Sequence, residues 1–143
     1  MQQRGFTLIE LLVVIGIIAL LAAIVLAFLS DGREKSRDSA RAADLKQLQI
    51  ALSLYFDATG AYPPDLSVLV PKYISVIPKD PASNAVYPYD RLSDTDYHLG
   101  ASLEQANITL LKSDVDATST NILGTDSAGC AGGVGWHCYD VRP

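Results

Sequence analysis

The sequence predicts an α+β protein: one long N-terminal α-helix, apolar in its first half, packed in its second half on a small antiparallel sheet with a disulfide-closed C-terminal loop. Three observations carry this. Residues 6–29 are apolar with a single charge, Glu10, and about 20 such residues cross a hydrocarbon core. Leu45, Leu48, Leu52, Tyr55 and Phe56 then recur on one face of a 3.6-residue helix. After Gly60 the pattern becomes short runs divided by Pro, Gly, Asn and Asp.

A chain of 143 residues has room for one such helix and one small domain, where a core alone gives marginal stability and extra constraints are common. The net charge of −5 argues against nucleic acid as the first-choice partner. Positive charge is local, at Arg33, Lys35, Arg37, Arg41 and Lys46, and the chain beyond is acidic.

Residues 1–5, Met-Gln-Gln-Arg-Gly, are polar, basic and short, and read as a leader peptide outside the fold. Residues 6–29 form a transmembrane helix built to pack against copies of itself. Glu10 costs at least about 2.5 kcal/mol there, and an intramembrane acid is functional by default. Cleavage after Gly5 places a free α-amine on Phe6, one turn from Glu10. In staggered parallel copies the amine of one chain meets Glu10 of the next, so neither charge stands alone in an apolar phase. Two other readings stay open. An ordinary secretory signal could use Ala19, Ala22, Ala23 or Ala27 as a small-residue cleavage site, and a plain membrane anchor explains the length but not Glu10. Gly16 permits close approach of a neighbour or local unwinding. Ser30-Asp31-Gly32 predicts a solvent-exposed kink rather than a break. Residues 30–59 continue the helix amphipathically, with Asp38, Arg41 and Asp44 as i,i+3 pairs on a solvated face.

Residues 60–143 form the globular β-rich head. Gly60 is the left-handed helix cap, and Pro63-Pro64 prevents the helix from resuming. Asp65 caps a short helix with Leu66, Leu69 and Val70 inward, stopped at Pro71. Residues 86–91 and 96–103 read as strands. In the second, Tyr97, Leu99, Ala101 and Leu103 alternate with His98, Gly100 and Ser102, which puts His98 toward solvent or a neighbour. Residues 104–112 are ambiguous between helix and loop, 113–135 read as a long loop, and 136–141 as the last strand. Cys130 and Cys138 lie beyond the membrane segment, in a compartment where disulfides persist. The alternative is a zinc site adding His137, but two cysteines and one histidine without a CxxC pair are a poor ligand set.

Gly-Phe-Thr-Leu-Ile-Glu-Leu-Leu-Val-Val-Ile-Gly-Ile-Ile, Gly5 to Ile18, resembles the N-terminal signal of type IV pilins and type II secretion pseudopilins. Tyr55-Phe56-x3-Gly60-x-Tyr62-Pro63 and Pro78-Lys79-Asp80-Pro81 more loosely resemble the pseudopilin-like branch, as does the lack of proline in residues 6–29, where many type IV pilins carry one. The resemblance implies a pilin-like fold, cleavage between Gly5 and Phe6 by a prepilin peptidase, N-methylation of Phe6, and a role for Glu10 in filament assembly. It also implies an inner-membrane assembly platform and an ATPase as partners.

Little else points to chemistry. Asp114-x-Asp116, with Asp126 nearby, resembles the start of a calcium loop, and some pseudopilins bind calcium in their C-terminal loop, but the glycine and closing glutamate of an EF-hand are missing. No phosphate loop, nucleophile motif or paired histidine ligands stand out, so neither an enzyme nor a cofactor is expected. Asn107-Ile108-Thr109 matches a short glycosylation pattern. The expected function is that of a structural subunit of a type IV pilus or pilus-like filament, a homo-oligomer built by packing N-terminal helices after leader cleavage. The subunit first lies in the lipid of the cytoplasmic membrane as a single-pass protein with its head outside, and then in an extracellular pilus or pseudopilus. The alternatives are a major type II secretion pseudopilin, or a minor pilin that binds DNA or a surface ligand through a cluster such as Arg91, Lys112 and Arg142.

Overall fold

The computed structural model describes residues 6–106, 108–112, 114–124, 128–130 and 135–143, with backbone alone at 27–30 and 108. The leader with Gly5, together with Asn107 and Asp126, lies outside the described residues. Helix α1 runs Leu8–Thr59 and continues through Ser30-Asp31-Gly32. Each of these residues weakens a helix by at most about 1 kcal/mol, too little to stop one with long good formers on both sides.

Two compact units divide the chain, Met1–Glu34 and Lys35–Pro143. In the first, every described side chain from Phe6 to Leu26 is exposed. This is a helix that is apolar all round, long and apolar enough to cross a membrane, whose surface needs lipid or other helices to cover it.

The second unit is built on the Leu45, Leu48, Ala51 and Leu52 stripe of α1, all fully or almost fully buried. Gly60 ends the helix with φ +76°, its N–H bonded to Phe56 O at 2.7 Å. Asp65 then caps the 3-10 helix Leu66–Leu69, its side chain accepting from Ser67 N. Leu66 and Leu69 are buried, whereas Val70 faces out, because the single turn ends before it and the chain becomes extended there.

Strands β1 (Tyr89–Ser93), β2 (Asp96–Leu103) and β3 (His137–Val141) form an antiparallel sheet in the order β1-β2-β3, and α2 is a single turn, Ile108–Leu111. The first strand begins later than its sequence pattern indicates, since Val86 makes only an isolated bridge to Lys79. One face of β2, with Tyr97, Leu99 and Ala101, joins the α1 stripe in a core completed by Tyr62, Leu66, Leu69, Ile74, Tyr87 and Val141. Tyr62 packs edge-on to Tyr97 at 4.6 Å and stacks on Phe56 at 4.7 Å.

The other face of β2 is buried too, which overturns the expectation that His98 is exposed: His98 and Gly100 are covered. The C-terminal loop lies over this face, with Ile122, Cys130 and Cys138 as a second apolar cluster. Gly100 is required there because a Cβ would stand 2.9 Å from Cys130 Sγ and 3.3 Å from Ile122. Cys130 and Cys138 are joined in a disulfide.

Candidate functional site

The one carboxylate of the apolar helix sits at its very start. Thr7 and Glu10 bond reciprocally: Thr7 N–H and Thr7 Oγ1 donate to Glu10 Oε2 at 2.9 and 2.7 Å, and Glu10 N–H donates to Thr7 Oγ1 at 3.3 Å. This is a capping box, which satisfies orphan N–H groups of the first turn. The Thr-x-x-Glu spacing before an apolar run is its sequence signature, and it was open to reading from the chain alone. Both bonds end on one oxygen, so the pair orients the carboxylate while Oε1 is not used in it. Phe6, 80 % exposed, lines a shallow apolar groove with Ile9, Glu10, Val13 and Val14. An anionic group, an exposed aromatic side chain and an apolar groove thus share one helix face.

A second charged group lies inside the head. Arg41 is fully buried and Asp38 almost so, which corrects the expectation of a solvated face. Arg41 Nε donates to Asp80 at 2.5 Å, and Nη1 donates to Asp38 and Glu104 at 2.7 and 2.8 Å. Its guanidinium stands 5.3 Å from the Trp136 ring centre, a cation–π contact. Asp38 also accepts the Glu104 and Gln105 N–H groups at 2.9 Å, and Arg37 pairs with Glu104. Burial pushes the Asp80 carboxyl up, but bonds from Arg41, Ser83 and Ala82 outweigh it and hold it at about 2. The Arg37 bond is the main cause that holds Glu104 below the usual range. The arrangement ties α1 to two distant segments.

Asp116 is exposed and Asp114 half-buried, and Asp126 lies outside the described residues. Among the described residues no group of three or more His, Cys, Asp or Glu is placed to hold a metal. Two of the three cations considered for a basic patch lie beside acids, and Lys112 is exposed. Arg91 pairs with Asp94, and Arg142 lies 3.8 Å from Asp96.

An apolar N-terminal helix with one capped acid at its start, leading into an α+β head, defines the class of pilin-like filament subunits. Residues 1–26 match the prokaryotic N-terminal methylation motif. The chain is 34 % identical over 109 residues to the type II secretion system core protein G of Aeromonas hydrophila, covering 64 % of this chain and 74 % of the relative. The Pseudomonas aeruginosa protein of that name is 32 % identical over 109 residues, covering 64 % and 75 %, and the Vibrio cholerae one 33 % over 99 residues, covering 58 % and 68 %. No solved structure matches the chain. The chain belongs to the family of type II secretion system core protein G, the pseudopilins, and is a structural subunit of that kind.

Proposed function

We propose that this chain is the repeating subunit of a type II secretion pseudopilus. It inserts as a single-pass protein of the cytoplasmic membrane with residues 35–143 outside, loses residues 1–5 to a prepilin peptidase, and is N-methylated at Phe6. Copies then leave the lipid as their helices pack side by side, with residues 6–29 forming the core and the head the outer surface. A cytoplasmic ATPase and a membrane platform supply the work, and the subunit itself performs no catalysis.

The observation that carries this reading is the exposed Glu10 carboxylate beside Phe6, in a helix start with no other charge from Phe6 to Leu26. In lipid an unneutralised acid is costly. The amine created at Phe6 of a neighbouring copy neutralises it through the carboxylate oxygen that Thr7 leaves unused. Pairing of this kind fixes the stagger of adjacent copies, which is the registry role best attested for buried charges. The secretion pseudopilus is favoured over an adhesive or DNA-binding pilin by the family and by the pairing of Arg91 and Arg142 with neighbouring acids.

Glu10→Ala tests it. We expect the variant to be cleaved after Gly5 and to remain in the membrane fraction, with filaments absent or disordered by electron microscopy of sheared material. Regular filaments from Glu10→Ala, with the processed N-terminus confirmed by sequencing, would remove the acid from assembly.

A further inference from the structure

Among the described residues, a continuous polar chain centred on the buried His98 and Asp140 crosses the sheet of the head. It starts from the sheet register. Asp90 on β1 is the partner of His98 on β2, and Asp140 on β3 is the partner of Gly100, two residues from His98. His98 and Asp140 are completely buried. His98 Nε2 lies 2.5 Å from Asp140 Oδ2, and the same carboxylate accepts the N–H groups of Asp116 and Ala117 at 3.2 Å. On the other side of the ring, Nδ1 lies 2.9 Å from Ser119 Oγ. The Ser119 hydroxyl donates to Asp90 Oδ2 at 2.5 Å. Asp90 Oδ2 also accepts Asn121 N–H at 2.7 Å, and the Asn121 side-chain amide donates to Asp90 Oδ1.

The protons can be placed one by one. A serine hydroxyl has a single hydrogen, and here it points at Asp90. Ser119 Oγ is then an acceptor for His98, so Nδ1 must carry a hydrogen. Asp140 already accepts two backbone N–H groups, a setting that favours its acceptor-only form, and against such an acceptor Nε2 carries a hydrogen too. Only the imidazolium has hydrogen on both ring nitrogens. We propose that His98 is held as a buried imidazolium that clamps residues 114–124 onto the sheet.

The electrostatics agree. Asp90 and Asp140 flank the ring from β1 and β3, Asp116 meets Asp140 through its backbone N–H, Asp114 lies near the neighbouring Tyr139, and a fully buried carboxylate such as Asp140 is costly without a cation beside it. Burial raises the Asp90 carboxyl, but bonds from Ser119 and Asn121, together with the neighbouring His98, outweigh it and hold it below the ordinary range. The clamped segment needs such a hold, since among its residues only Ile122 and Gly124 are buried. Charge-assisted bonds are about twice as strong as neutral ones, and here they replace the apolar burial that the segment lacks.

The test uses the full-length protein in detergent micelles with 15N-labelled histidine. At neutral pH His98 is expected to give two protected ring N–H signals, unchanged by added calcium or by a chelator. A single ring N–H would overturn the proposal. So would a rise of several degrees in the wild-type Tm on adding calcium, since a cation would then be pinning the segment. His98→Gln keeps one donor and lacks the second. It should lower Tm by roughly 10 °C and speed amide exchange at residues 115–121, and an unchanged Tm would count against the clamp. Should that variant fail to fold, the wild-type ring signals decide alone.

Discussion

Replacing Arg41 by methionine would leave Asp38, Asp80 and Glu104 facing one another around an apolar side chain. Removing one partner of a buried ion cluster costs about 3–5 kcal/mol, because the remaining charges stay uncompensated. We expect Arg41→Met to lower the denaturation midpoint of the head by that order, read by urea titration of the full chain in micelles. The same cluster sets an acid limit. Asp80 is held at about 2 in the fold, below the ordinary value near 3.9. A depressed carboxyl stabilises the fold above its unfolded value, and that stability is lost as pH falls through the folded one. Asp80 alone should therefore contribute about 2 kcal/mol at neutral pH, lost between roughly pH 4 and pH 2. Asp80→Asn should flatten that part of the stability–pH curve, and an identical acid limb in the variant would exclude Asp80 as its source. The sequence showed the i,i+3 spacing of Asp38 and Arg41 but not their burial. Their partners Asp80 and Glu104 lie 39 and 63 residues from Arg41, and no local pattern reports on so distant a pairing.

At the scale of elements, β2 is the strand whose two faces do different work. Its Tyr97, Leu99, Ala101 and Leu103 alternation was legible because a half-buried strand writes its core face at period two. The burial of His98 and Gly100 was not, because the cover on that face is an irregular loop of Ser, Thr, Asp and Asn that carries no periodic signal of its own. Gly100→Ala tests the closeness of this cover. The added methyl would press on Cys130 Sγ and Ile122, and overpacking of this sort costs about 1–3 kcal/mol. The disulfide holds the end of the same loop, with eight residues of sequence separation, and closing so short a loop is worth about 2.5 kcal/mol in the chain-entropy model. Cys138→Ser should lower Tm in non-reducing buffer and leave the α1 helix content of the circular dichroism spectrum unchanged. A Tm equal to that of wild type would show that the loop is held by its hydrogen bonds alone.

Over the whole molecule, one helix serves two solvents. From Phe6 to Leu26 it exposes its apolar side chains to lipid or to neighbouring helices, and from Leu45 to Leu52 it buries a narrow stripe under the sheet. This division was the most legible feature of the sequence, because the change from all-round apolarity to a 3.6-residue stripe is written directly in the residue order. In the proposed assembly, the switch between membrane protein and filament subunit rests on the leader. While residues 1–5 are attached, Phe6 has an amide in place of an amine, and Glu10 of a neighbour finds no cation. Gly5→Val should block cleavage, so the chain keeps its full mass in the membrane fraction and forms no filaments although its helix is unchanged. Mass spectrometry of the membrane-bound chain and electron microscopy of sheared material check both halves. Filaments built from uncleaved Gly5→Val chains would mean that helix packing alone drives assembly, and that the amine at Phe6 is not what neutralises the acid.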